Sequence, residues 1–210
     1  MISLLDHLET SSDPKRARIL VGATKVFLAY GFQRTTMDDI ARAAEISRPA
    51  LYVLFRNKTD IYRALASGFV EQSVAQTRSV LTRRELPLAE RFLEATSCFM
   101  GLLEEIEAAP HGLELVDMQN SLAGDIVAEG RTELVVIFRE AIEADLRAKG
   151  RELDDIGLTP VAMAEMLLDA IDGMQMRRPG PEAQLALREQ YVRAICFLVG
   201  GRDEASPASC

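Results

Sequence analysis

The residues of this sequence that are best suited to chemistry form a short motif, Ser47-Arg48-Pro49-Ala50, followed by Val53. Ser47 can cap a helix, which places Arg48 in the first helical turn. The fork of donors on an arginine can bond the O6 and N7 atoms of guanine together, and short apolar side chains fit the methyl group of thymine. The spacing therefore predicts a helix whose arginine and short apolar side chains contact base edges in a DNA duplex.

A second group of side chains is suited to binding phosphate oxygens. Tyr52 joins an apolar ring to a hydroxyl that can meet a phosphate, and Lys58 adds an ammonium to the free N–H groups at the start of a fourth helix. Thr35 and Thr36 stand at the start of the second helix, where phosphate binding of the same kind is expected. Such contacts fix the position of a protein on DNA more than the sequence that it selects.

Each of these interpretations has a structural alternative. Thr36 forms a capping box with Asp39, Tyr52 can cover the turn, and Arg48 can be a solvated surface charge. The predicted DNA-contacting residues are Thr35, Thr36, Ser47, Arg48, Pro49, Ala50, Tyr52, Val53 and Lys58.

Helical patterns account for the elements that must position these side chains. The first helix is predicted to begin at Asp13-Pro14, a carboxylate cap followed by proline, and to end at Gly31. The predicted helices cover residues 13–31, 36–44, 47–55, 57–82, 88–107, 112–120, 126–149, 160–178 and 182–200. Because no long stretch alternates apolar and polar residues, the sequence predicts an all-α fold of about nine helices.

Residues 37–56 fit two short helices that cross at a sharp turn. Ala41 stands where the two helices approach closely, since a larger side chain would push them apart. The positions assigned to inner packing are Ile40, Ala44, Ile46, Leu51 and Phe55. This pattern predicts a helix-turn-helix unit whose second helix enters the major groove with its N-terminus first.

The charge of the chain is distributed unevenly. The net charge is −8, yet between Lys15 and Arg63 ten lysines and arginines stand against four acidic residues, a net charge of about +6. The rest of the chain then carries about −14. This split predicts a basic contact segment joined to an acidic body that does not touch DNA, although a solvated basic face produces the same composition.

Composition also limits other classes of protein. No apolar run approaches the roughly 20 residues needed to span a bilayer, and the N-terminus lacks the order of a signal peptide, so a cytoplasmic protein is expected. The three cysteines are far apart, and His7 and His111 are the two histidines. Neither a disulfide framework, nor a metal site, nor a cofactor is predicted.

The segment RARILVGATKVFLAYGFQRTTMDDIARAAEISRPALYVLFRNKTDIYRALA resembles the complete N-terminal domain of the TetR (tetracycline repressor) family. The likeness includes a first helix ending in YGF, the pattern TT-x-x-x-IA, the pattern S-R-x-x-LY-x-x-F, and N-K before an apolar residue. It covers about the first quarter of the chain. The resemblance assigns Tyr52 to a phosphate contact, and it implies a dimer that binds a double-stranded operator and responds to a small molecule.

Two residues depart from the family pattern. Glu45 stands at the turn position where the family usually has glycine, and a residue other than glycine at positive φ costs on the order of 1 kcal/mol. Leu54 stands where a histidine or tyrosine is frequent. We therefore expect a slightly altered turn and the loss of one of the usual DNA contacts.

The C-terminal half offers two weaker patterns. Apolar stripes on the last two helices are wide, and the resemblance implies that these helices pair with those of a second copy; an ordinary core is the alternative. The predicted dimer residues are Met163, Leu167, Ile171, Met174, Tyr191, Val192, Ile195 and Leu198. In the central helices the resemblance implies a ligand pocket, with core packing as the alternative. The predicted pocket residues are Phe99, Met100, Leu103, His111, Leu115, Met118, Gln119 and Phe138.

These patterns predict four segments along the chain. They are a disordered N-terminal extension (1–12), a helix-turn-helix DNA-binding domain (13–60), a helical ligand-binding and dimerisation domain (61–201) and a flexible tail (202–210). The predicted function is that of a homodimeric repressor released from its operator by an unknown small-molecule effector. The alternatives are a protein-interaction module that has lost operator binding, and an all-α enzyme, for which the sequence offers no converging titratable groups.

Overall fold

The structure is a computed structural model that describes residues 13–153 and 157–200. The predicted extension (1–12) and tail (202–210) lie outside these ranges. Within them the regular structure is helical and contains no strand, which confirms the predicted all-α fold. The helices are α1 (Pro14–Tyr30), α2 (Met37–Ala43), α3 (Arg48–Leu54), α4 (Lys58–Leu81), α5 (Leu88–Glu107), α6 (Gly112–Asp117), α7 (Gln119–Lys149), α8 (Pro160–Arg177) and α9 (Pro181–Gly200).

The helix boundaries follow from caps that the sequence encodes. The Asp13 carboxylate accepts hydrogen bonds from the first two free N–H groups of α1, and Gly31 ends that helix with φ 82°. Thr36 and Asp39 form the predicted capping box at the start of α2. The Ser47 hydroxyl accepts from the backbone N–H of Ala50 in α3 at 3.4 Å.

The central helices differ from the prediction. A helix over 112–120 and another from 126 were expected, with a break at Ser121–Gly124. Instead α6 ends at Asp117 and α7 begins at Gln119, and only Ala123 leaves helical geometry, with φ −142° and ψ 23°. A kink at a single residue preserves the surrounding helix, and Ala123 itself is fully buried.

The chain divides into two compact units. The first consists of the described residues in segments 1–74 and 99–130, and the second of those in segments 75–98 and 131–210. The predicted domain boundary after residue 60 falls inside α4 and inside the first segment of the first unit.

Each unit has its own apolar core. The first core joins α1, α2, α3 and the start of α4, and its fully buried side chains include Ile19, Phe27, Ile40, Leu51 and Ile61. In the second unit Phe92 and Phe138 pack edge to face, with ring centroids 5.0 Å apart.

The predicted dimer stripe lies mostly inside the second core. Met163, Leu167, Ile171, Met174, Val192 and Ile195 are buried within one protomer. Tyr191 and Leu198 are half-buried. The stripe is wide because α8 and α9 pack against each other and against their own unit, so six of the eight predicted dimer residues are core residues of a single chain. The large apolar side chains that these helices expose are Val161, Met166, Met176, Leu185 and Phe197.

No helix within residues 13–153 and 157–200 combines the length and the apolar character needed to cross a lipid bilayer.

Candidate nucleic-acid interface

The turn between α2 and α3 is held in one geometry by backbone contacts. Glu45 has φ 53°, the left-handed conformation that its position predicted, and the N–H of Ile46 donates to the carbonyl of Ala41 at 3.0 Å. A Cβ at Gly22 of α1 would lie 2.8 Å from the backbone nitrogen of Ala44. Only glycine lets α1 approach the end of α2 this closely, a requirement that the sequence alone did not reveal.

Burial separates the packing side of α3 from its outer side. Leu51 and Phe55 are in the core, as predicted. Val53 is 81% exposed and Tyr52 is 43% exposed. Ser47, Arg48 and Pro49 are also exposed, and Ala50 is half-buried. The helix therefore presents the predicted base-contacting residues on a surface that a rigid core supports from behind.

Arg48 is held by two neighbours on this surface. Its Nη1 atom donates to Oδ2 of Asp38 in α2 at 3.0 Å, and its guanidinium carbon lies 5.5 Å from the centroid of the Tyr52 ring. Hydrogen bonding with Tyr52, followed by the charge of Asp38, raises the pKa of Arg48 above its already high value. Arg48 is therefore a permanent cation with a defined orientation, and one arm of its fork is occupied in the free protein.

Lys58 makes hydrogen bonds within the protein that the sequence did not predict. Its Nζ atom donates to the carbonyls of Phe32, Gln33 and Thr35 at 2.7, 3.0 and 3.0 Å, and it lies 4.7 Å from the centroid of the Phe32 ring. An ammonium has three N–H donors, and all three are used here. Lys58 fastens the turn between α1 and α2, and it has no donor left for a phosphate in this structure.

The two threonines also make hydrogen bonds within the protein. Thr35 is 2% exposed and its hydroxyl donates to the carbonyl of Gly31 at 2.7 Å, so it does not face solvent. The hydroxyl and backbone N–H of Thr36 both bond the carboxylate of Asp39, at 2.6 and 3.0 Å. These bonds lower the pKa of Asp39. A carboxylate at this point repels phosphate, so the structure supports the capping role of Thr36.

The first unit also contains an apolar cavity, here called the α1–α4 cavity. Its volume is about 640 Å³, including space open to solvent. Its walls come from α1, α4, α5, α6 and α7. The lining residues from α1 and α4 are Thr24, Phe27, Leu28, Tyr62, Leu65, Ala66 and Phe69, and those from the later helices are Leu103, Ile106, Leu115, Val116 and Gln119.

Three predicted pocket residues, Leu103, Leu115 and Gln119, line this cavity and five do not. Met100 is buried in the first unit, and Phe138 belongs to the core of the second unit against Phe92. The remaining three, Phe99, His111 and Met118, lie outside the lining, and His111 pairs with Glu114 beside Gly31. The apolar residues of α1 and α4 also fit an ordinary core, so the sequence does not mark them as cavity walls.

The three N-terminal helices, with the outer side of α3 exposed, form a helix-turn-helix unit on a chain whose described regular structure is helical. Residues 19–65 match the model of bacterial regulatory proteins of the tetR family. Residues 19–65 therefore resemble the N-terminal part of that family.

Curated relatives share parts of this sequence. The HTH-type transcriptional activator FasR of Mycolicibacterium smegmatis is 32% identical over 92 residues, which cover 44% of this chain and 42% of that protein. The match thus spans less than half of FasR. An uncharacterized HTH-type transcriptional regulator of Bacillus subtilis, YhgD, is 22% identical over 85% of this chain and 94% of its own length.

Solved structures share the fold. A putative TetR-family transcriptional regulator from Mesorhizobium loti superposes with a TM-score of 0.67 at 18% identity, over 89% of this chain and 97% of that chain. SmeT, the repressor of the Stenotrophomonas maltophilia multidrug efflux pump SmeDEF, has a TM-score of 0.62 at 16% identity, over 97% and 96% of the two chains. The helical architecture therefore extends beyond the matched N-terminal segment.

Proposed function

We propose that this chain is a ligand-responsive transcriptional repressor that binds a palindromic operator as a homodimer in the cytoplasm. The observation that carries the proposal is the exposed outer side of α3. It places Arg48, Tyr52 and Val53 in solvent while Leu51 and Phe55 anchor the helix from behind. A helix presented in this way can enter a major groove without any change in the core.

The proposed contacts fall into two kinds. Arg48 contacts a guanine with its fork, and Pro49, Ala50 and Val53 supply the apolar surface that faces thymine methyls. Tyr52 meets the DNA backbone through its hydroxyl, and Ser47 caps the helix at the groove. Thr35, Thr36 and Lys58 support these residues from within the protein.

Binding of a palindromic operator requires a second copy of the chain. Two half-sites about one helical turn apart need a two-fold partner. In α8 and α9 the exposed Met166, Met176, Leu185 and Phe197 offer an apolar surface that a protomer leaves uncovered. We assign the dimer contact to these residues instead of the buried stripe that the sequence indicated.

The direction of control is part of the proposal. The relatives include an activator, FasR, and a repressor, SmeT. We propose repression, in which the bound dimer excludes polymerase and a small molecule releases it by favouring a geometry that no longer fits the operator.

The experiment that tests the proposal is selection of binding sites from random duplex DNA, followed by titration of the selected sequence at several salt concentrations. The proposal predicts a palindromic site, a stoichiometry of two protomers per site, and a steep fall of affinity with salt. Arg48→Ala removes binding to the selected site. Arg151→Ala is the matched control, because it removes one exposed positive charge from the second unit and leaves α3 intact.

If no sequence is enriched and the protein stays a monomer, operator recognition is wrong. The chain would then be a protein-interaction module with the same fold. If a site is enriched but Arg48→Ala binds it as well as the parent protein does, the assignment of α3 as the reader is wrong.

A further inference from the structure

The walls of the α1–α4 cavity are uncharged and mostly apolar. None of the described residues that line it carries a charge, and most are aliphatic or aromatic. Of the polar groups, the Thr24 hydroxyl donates to the carbonyl of Leu20 at 2.9 Å and the Tyr62 hydroxyl donates to the carbonyl of Leu115 at 2.6 Å. The side-chain amide of Gln119 has no hydrogen bond to a described residue. The cavity therefore offers a mostly apolar surface and one free hydrogen-bonding group.

This lining excludes some ligands and favours one class. An ionised group buried without a partner loses its hydration and gains nothing in return, so a carboxylate, phosphate or ammonium does not fit. The space between these walls is about 640 Å³ when its solvent-open part is included, which leaves room for a small molecule. We propose that the α1–α4 cavity binds a neutral, largely apolar molecule whose single hydrogen-bonding group meets Gln119, and that this molecule acts directly on the DNA-binding helices.

The expected effect of the ligand on the DNA-binding helices follows from the residues that α1 contributes to the cavity. Phe27 lines the cavity, and its ring centroid lies 5.3 Å from that of Phe32, which in turn lies 5.6 Å from that of Tyr62. Tyr62 lines the cavity as well. The carbonyl of Phe32 is one of the three that Lys58 holds in the turn before α2. A ligand that moves Phe27 or Tyr62 therefore displaces the support of α2.

Helix α6 provides a second connection from the cavity to the same turn. Leu115 and Val116 face the cavity. On the same short helix, Glu114 accepts a hydrogen bond from the backbone N–H of Gln33 at 3.2 Å. The N–H of His111, just before α6, donates to the carbonyl of Leu28 at 3.1 Å. A ligand in the cavity can therefore affect the turn before α2 in two ways, through the aromatic contacts of Phe32 and through the hydrogen bonds of α6. The regulatory half of this inference rests on the proposed function, while the binding half does not.

The first experiment measures binding of the neutral fluorophore N-phenyl-1-naphthylamine to the full-length protein. We expect a saturable rise in fluorescence with one site per protomer. Ala66→Trp and Val116→Trp each fill the cavity and are expected to weaken binding at least tenfold. Ala148→Trp adds the same side chain at an exposed position of the second unit, outside the cavity, and leaves binding unchanged. Circular dichroism confirms that each variant is folded. If both cavity variants fold and bind the fluorophore as the parent does, the proposed site is wrong.

The second experiment tests the class of ligand by displacement of the fluorophore at pH 8. The neutral 1-decanol is expected to displace it at concentrations at least tenfold lower than decanoate, which is ionised at this pH. Gln119→Leu is expected to weaken displacement by 1-decanol about two- to tenfold, the effect of losing one neutral hydrogen bond. Equal displacement by decanoate, or an unchanged effect of 1-decanol on Gln119→Leu, overturns the assigned chemistry.

The third experiment tests the coupling to DNA with the operator obtained by selection. Saturating 1-decanol is expected to weaken operator binding, and saturating operator to weaken fluorophore binding by a comparable factor, since coupling between two sites is reciprocal. Ala66→Trp removes the response to 1-decanol. If operator binds and the cavity fills but neither affects the other, direct action on the DNA-binding helices is wrong. If no operator is selected, the proposed function fails while the first two experiments still decide the site.

Discussion

Helix α3 and the last two helices of the chain carry apolar residues for opposite purposes. In α3, Leu51 is buried while Val53, two residues later, is 81% exposed. In α8, Met163 has no exposed surface while Met176 is 86% exposed. Both elements thus have an inner and an outer apolar set. In α3 local motifs identify the outer set, whereas in α8 and α9 the sequence pattern marked the inner set as the contact surface. Amphipathic spacing predicts that one face of a helix is buried. It does not show whether that face is buried inside its own chain or against a second copy.

The two methionines of α8 give the largest expected contrast. Met163→Ala removes buried atoms from the second core and is expected to lower the free energy of unfolding by about 2–5 kcal/mol. Met176→Ala is expected to change it by less than about 0.5 kcal/mol in the monomer, while weakening dimerisation. Chemical denaturation and sedimentation of both variants measure the two effects. If Met163→Ala weakened only the dimer, the buried stripe would be an interface after all.

A substitution of Lys58 shows whether this residue stabilises the helix-turn-helix unit or contacts DNA itself. Lys58→Met leaves three carbonyls without their shared donor, and we expect a loss of stability of about 1–3 kcal/mol. The slope of operator affinity against salt should stay the same, because no phosphate contact is lost. A slope reduced by about 0.9 at unchanged stability would restore the phosphate contact that the sequence indicated.

A substitution of Glu45 is expected to raise stability, by less than the substitution of Lys58 lowers it. Its φ of 53° costs a residue other than glycine on the order of 1 kcal/mol. Glu45→Gly removes this strain but also makes the unfolded chain more flexible, so we expect a net gain of about 0.5 kcal/mol. Thermal unfolding measures it, with Glu45→Ala as the control that keeps the strain. Equal stability of the two variants would contradict strain at the turn.

The smallest expected effect concerns pH. Arg63 donates two hydrogen bonds to Asp125 and holds the pKa of that carboxyl at about 2, below its ordinary value of 3.8. Because the pKa is lowered in the folded state, the stabilisation is complete above pH 4 and is lost as the pH falls towards 2. Asp125→Asn should remove this part of the pH dependence. Denaturation curves of both proteins between pH 2 and 5 test it, and parallel curves would contradict the pairing.

Local signals explain what the sequence could predict. The caps Asp13, Thr36 and Ser47 act within three residues of themselves, so the first helices start where the sequence indicated. The positive φ of Glu45 and the burial of Leu51 also follow from position in the motif.

Long-range contacts account for what the sequence did not predict. The donors of Lys58 are used by carbonyls more than twenty residues away, and Gly22 is required by the approach of a different helix. The α1–α4 cavity combines Phe27 with residues of α5, α6 and α7, and nothing in the spacing of Phe27 distinguishes a cavity wall from a core position. Such roles become visible only when distant segments are brought together.

The central claim is that Arg48 on the outer side of α3 identifies a base. The most direct test repeats the site selection with Arg48→Lys, which keeps the charge and removes the two-pronged fork. We predict that preference is lost at one base pair in each half-site, at a cost of about 1–3 kcal/mol in discrimination, while the salt dependence stays the same. An unchanged selected sequence, with a uniform loss of affinity at every position, would contradict base recognition by Arg48 and leave it as a phosphate contact.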